Sequence, residues 1–188
     1  MTPLTKKNAD FFNSYFSAID AAIDSVDVDR LIEAAELIWN AHISGAKVVI
    51  VGNGGSAAMA SHISVDLTKA AGIRAINFNE ADLLTCFAND YGYEHWVARA
   101  LEAYADKNDL VILISSSGES SNIINGVAQA RQMELPVITL SGFSADNRLR
   151  ELGDVNFWCD SKHYNTVEMT HHVWLLAIAD YVISCRDN

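Results

Sequence analysis

Two short runs and two four-residue spacings hold the residues that could do chemistry. Gly52-Asn53-Gly54-Gly55-Ser56 offers an amide, a hydroxyl and backbone N–H groups left uncovered by small residues. Such a set suits hydrogen bonding to the hydroxyls of a polar ligand. Ser115-Ser116-Ser117-Gly118-Glu119-Ser120-Ser121 offers hydroxyls in a row, which at a helix start form a cradle that holds phosphate without any Lys or Arg. His62 and Asp66 stand four residues apart, as do Glu168 and His172, so each pair shares one face of a helix. Two imidazoles and two carboxylates are groups fit for proton transfer. The same four, His62, Asp66, Glu168 and His172, are compatible with zinc or another divalent metal. The simpler readings remain open beside these: a same-face hydrogen bond for His62 and Asp66, a helix-capping role for Glu168 after Asn165, and a helix-surface or interface place for His171 and His172, preferred for His171.

These residues act only if strands and helices hold them. Short β-branched runs at Val48–Val51, Arg74–Phe78, Leu110–Ile114, Val137–Leu140 and Val155–Trp158 alternate with helical stretches, which predicts an α/β fold with a doubly wound, five-stranded parallel sheet and right-handed crossovers. Apolar residues at helical spacing from Lys7 to about Ser44 predict two long leading helices, and a last helix is expected from about Thr166 to Ser184. Both candidate runs follow a strand and precede a helix, which is where ligands sit in an open α/β sheet. The plain alternative for the first run is a tight turn with Ser56 as helix cap.

With 188 residues, half of them hydrophobic, the chain can bury a full core as one domain over 1–188, residues 1–45 forming a helical extension that packs on it or on a neighbouring subunit. The only prolines, Pro3 and Pro136, mark no linker. A formal charge of −11 disfavours direct contact with nucleic acid or an anionic membrane. Three cysteines without a C-x-x-C pair point to reduced thiols. The polar Met1–Asp10 segment has no apolar h-region and no stretch is long enough to span a membrane, so a cytoplasmic location is expected. Surplus apolar residues on the last helix, such as Val173, Leu176 and Ile183, suggest self-association or an unusually deep core. Gly52-x-Gly54-x-x-Ala57 also fits a loose dinucleotide fingerprint, but Phe78-Asn79 stands where the acidic residue is expected, and no nucleotide cofactor is anticipated.

Gly52-Asn53-Gly54-Gly55-Ser56-Ala57-Ala58, His62, Ala88-Asn89-Asp90-Tyr91-Gly92-Tyr93 and the serine run together resemble the sugar isomerase (SIS) domain family, within it the phosphoheptose isomerase branch. The resemblance implies a homotetramer with sites at subunit interfaces, converting sedoheptulose 7-phosphate to D-glycero-D-manno-heptose 7-phosphate for lipopolysaccharide or surface polysaccharide. It implies phosphate on Ser115, Ser117 and Ser120, with Ser116 beside them, and sugar on Asn53, Gly54, Gly55 and Ser56. Asp90 and Glu168 join the substrate-binding set, Asp90 also being explicable as the residue that shapes an Asn-Asp-Tyr-Gly turn. Asp66 would be the base and His62 or His172 the acid of an enediol mechanism. The chain departs from the family pattern at Asp66, where Glu is usual, at Glu168 for Gln, at Leu176 for a terminal His, at Thr166 for Arg, and at Ser116 and Glu119 of the serine run. A second reading therefore stays open: a non-catalytic phosphosugar-binding relative that associates with a protein such as the replication initiator DnaA.

Overall fold

The computed structural model describes residues 9–186; the polar segment before Ala9 lies outside them. The strands β1 (Val48–Gly52), β2 (Ala75–Asn77), β3 (Leu110–Ser115), β4 (Val137–Gly142) and β5 (Val155–Cys159) form one parallel sheet in the order β2-β1-β3-β4-β5. Runs such as Val48-Val49-Ile50-Val51 and Leu110-Val111-Ile112-Leu113-Ile114 are buried throughout, because a parallel sheet covered on both faces needs apolar residues at every position. Alternate residues then feed two cores. Ile50, Ile112 and Leu140 pack toward α2 (Val28–Ile43), α3 (Gly55–Lys69) and α7 (Tyr164–Arg186). Val49, Val111 and Leu113 pack toward α4 (Ala81–Tyr91), α5 (Trp96–Tyr104) and α6 (Ser121–Gln132).

The leading helix α1 (Ala9–Ile23) lies on α7, tied by Trp174 Nε1–H donating to Ile23 O at 2.9 Å. Four strands run one or two residues beyond the apolar stretches that predict them, while β2 is shorter than Arg74–Phe78. β2 is an edge strand with a single neighbour, paired with β1 over three residues, so fewer of its backbone groups are held in a ladder. At the opposite end from the candidate loops, Lys47 stands just before β1 and Asp109 just before β3. Lys47 N–H donates to Asp109 Oδ1 at 2.9 Å, and its ammonium lies 2.6 Å from both Asp109 Oδ2 and Asp106 Oδ2. The nearly buried ammonium is thereby fully paired, which a charge at that depth requires.

Candidate active site

β1 and β3 are neighbours, in register from Val48↔Leu110 to Gly52↔Ile114, so the loops that leave them start about 5 Å apart. From β1 the chain turns to α3 on one face; from β3 it turns to α6 on the other. Together they enclose a cavity of ≈ 260 Å³ lined by Asn53, Gly54, Gly55, Ser56, Ser115, Ser116, Ser117 and Ser120, with Ile114, Tyr164 and Glu168 completing the wall. Every loop residue assigned to substrate binding from sequence thus faces one space. Tyr164 was not anticipated: it begins α7, its ring meets Phe143 edge-on at 4.8 Å, and no spacing in the sequence marks it.

Backbone geometry sets the loops. Gly54 caps α3 with φ 55°, a conformation that side chains with a Cβ rarely adopt. Ser56 is therefore not the cap; it sits in the first turn and is 2 % exposed. Gly118 turns the serine run with φ 70°. Ser120 caps α6, and its Oγ accepts from Ser115 Oγ–H at 2.9 Å. The amides of Asn53 and Asn122 bond reciprocally, Asn53 Nδ2 to Asn122 Oδ1 at 3.0 Å and Asn122 Nδ2 to Asn53 Oδ1 at 2.9 Å, while Tyr93 Oη–H donates to the same Asn53 Oδ1 at 3.0 Å. Asn122 and Tyr93 were not picked out as site residues, since their partner is 69 and 40 residues away.

Glu168 is inside this cavity rather than serving a cap. Its carboxylate occupies the space that a Cβ on Gly55 would fill, and burial holds its pKa above the usual carboxylate value. One turn further along α7, His172 Nε2 meets His62 Nδ1 at 2.8 Å, and His62 Nε2 faces Asp66 Oδ2 at 3.3 Å. Asp66, His62 and His172 form a chain of contacts beside the cavity, a hydrogen bond between the two imidazoles and a 3.3 Å ion-pair distance from His62 to Asp66, and none of the three is in its lining. Burial, then the charge of His62, lowers the pKa of His172.

One expectation, the surface or interface place for His171, is corrected. Among the described residues no three His, Cys, Asp or Glu side chains are already grouped to hold a metal ion. His62 presents its two ring nitrogens to His172 and Asp66, and Glu168 turns toward Gly55. Asp90 is exposed in the last turn of α4 and absent from the cavity wall; its carboxylate accepts from Asn89 Nδ2 at 2.8 Å. His171 is fully buried, donating Nε2–H to Ser141 O at 2.9 Å, because α7 crosses the sheet with that face down. Leu176 packs against the core, with no imidazole in its place.

Fold and site together define a doubly wound α/β protein with a hydroxyl-lined cavity where two helices start beside neighbouring strand ends. A family model described as the SIS domain matches residues 11–142, and the chain belongs to that family. It is 29 % identical over 177 residues to the phosphoheptose isomerase of Helicobacter pylori, covering 91 % of each chain. To that of Pectobacterium atrosepticum it is 34 % identical over 142 residues, 73 % of this chain and 70 % of the other. The structure of the phosphoheptose isomerase from Neisseria gonorrhoeae superposes with a TM-score of 0.84 at 27 % identity, over 96 % of this chain and 99 % of that one.

Proposed function

We propose that the chain is a keto–aldo isomerase acting on a seven-carbon sugar phosphate, interconverting sedoheptulose 7-phosphate and D-glycero-D-manno-heptose 7-phosphate. The observation that carries this is the single cavity in which both loops and Glu168 meet. Ser115, Ser117 and Ser120 with the first N–H groups of α6 take the phosphate; Asn53 and Ser56 take the sugar. Moving a hydrogen between C1 and C2 through an enediol requires a base at carbon and an acid at oxygen. Glu168, inside the wall and raised in pKa, serves as one; the Asp66–His62–His172 chain serves as the other, Asp66 and His62 orienting His172. Nearby apolar exposure on α3 and α7, at Val65, Met169 and Val173, supports a subunit interface beside these groups and hence a homotetramer with sites at its interfaces.

Incubation with sedoheptulose 7-phosphate, followed by NMR for the aldose, is the test. Glu168→Ala and Asp66→Asn are each expected to lower kcat by about 10²–10⁴ while sugar phosphate still binds. The rising limb of the kcat/KM profile, governed by deprotonation of Glu168, lies above the ordinary carboxylate range and disappears in Glu168→Gln. Leu176 favours one second reading, since the resemblance expects His there: saturable binding without turnover in the wild-type protein would replace the isomerase with a phosphosugar-binding protein, its partner then to be sought.

A further inference from the structure

Glu119 is the one charged residue of the serine run. Its backbone N–H donates to Ser117 Oγ at 3.2 Å, and Ser120 follows it, so a residue bearing a carboxylate stands in the chain between two residues of the cavity wall, though not in the wall itself. A phosphate monoester carries close to two negative charges at neutral pH, and a bare carboxylate there would repel it. Arg148, from the short 3₁₀ turn Arg148–Glu151 that follows β4, occupies both carboxylate oxygens. Its Nε–H donates to Glu119 Oε2 at 2.7 Å and its backbone N–H to Oε1 at 2.9 Å. A third bond runs from Nη2 to Glu119 O at 3.3 Å. The same segment backs the loop elsewhere: Leu149 N–H donates to Gly118 O at 3.1 Å, and buried Asn147 fills the space beside Gly118 where a side chain would stand. The Arg148 hydrogen bonds hold the Glu119 carboxyl below its usual range, so the pair remains charged. Arg148 is not in the cavity wall.

We propose that Arg148 is a positioning residue for phosphate recognition, cancelling and anchoring Glu119 so that the serine run presents hydroxyls to a dianion without repulsion. This rests on the sugar-phosphate reading of the cavity. The test measures inorganic phosphate affinity, and KM and kcat for sedoheptulose 7-phosphate, in wild type, Arg148→Ala, Arg148→Lys and the double variant Glu119→Asn/Arg148→Ala, with a melting curve for each. Arg148→Ala is expected to weaken phosphate binding and raise KM roughly tenfold with kcat within about threefold, and 0.5 M NaCl to shrink that defect. Arg148→Lys, which keeps the charge, and the double variant, which removes the carboxylate, should both recover most of the lost affinity. An Arg148→Ala protein equal to wild type, or a double variant as weak as the single, overturns the proposal while the site reading stands. If Arg148→Ala does not fold, the lysine and double variants decide by the same comparison with wild type. Wild-type protein that binds neither phosphate nor the sugar phosphate overturns the site reading and this proposal with it.

Discussion

Asn53 Oδ1 has two lone pairs and both are used, one by Asn122 and one by Tyr93. The amide therefore faces the cavity with its remaining N–H, a donor suited to a carbonyl or hydroxyl oxygen. Asn122 is 2 % exposed, so this orientation is set from below, where water does not compete. His171 shows the opposite use of burial. Its side chain is sealed under α7, and desolvation lowers its pKa to about 4. The unfolded chain takes up a proton near the ordinary value of about 6.5, whereas the folded one stays neutral until about pH 4. The neutral-His fold thus has its full stability above pH 6.5 and loses it as pH falls toward 4, by up to about 3 kcal/mol, at about 1.4 kcal/mol per pH unit. Urea midpoints measured from pH 7 to 4 should show that slope in wild type and a flatter one in His171→Gln.

The turn from β1 into α3 separates two jobs that its first and last glycines perform. A Cβ at Gly52 would run into the backbone carbonyl of Ser56, atoms that cannot turn aside, so Gly52→Ala is expected to cost about 1–3 kcal/mol of stability by chemical denaturation. A Cβ at Gly55 meets first the end of the Glu168 side chain, which can swing away. Gly55→Ala should keep the melting temperature within a few degrees yet lower kcat about tenfold or more, because the carboxylate leaves its place; equal activity would separate Glu168 from the chemistry. At this scale the sequence is informative where local pattern dominates. β-Branched runs give all five strands, and strand–loop–helix order gives both walls of the cavity. Asn-Asp-Tyr-Gly reads as a turn, while in the fold α4 continues to Tyr91 and Asp90 stands outside the cavity wall. His171 and His172 are adjacent, and only packing decides that the first is sealed and the second meets His62, since α7 is apolar on nearly every side. The reciprocal Asn53–Asn122 amides join segments brought together by the sheet, which no local spacing encodes.

Across the whole molecule, exposed apolar side chains gather on one layer. Phe11, Phe12 and Phe16 of α1, Trp39 and Ile43 of α2, Val65 of α3 and Met169 and Val173 of α7 are each at least 36 % exposed, on helices that cover the same face of the sheet. This exposed apolar surface is the basis for the subunit interface proposed above. Light scattering after size exclusion is expected to give four times the 20.6 kDa chain mass, and Val65→Glu with Val173→Glu to give smaller species with reduced turnover. A monomeric wild-type protein would remove the interface from the proposal. The distant knot of Lys47, Asp106 and Asp109 has a consequence for heredity. It ties the roots of the two strands whose tips bear the ligand loops, so an allele that breaks it would emerge from a genetic screen looking like a lesion of the catalytic centre, although it lies at the other pole of the protein.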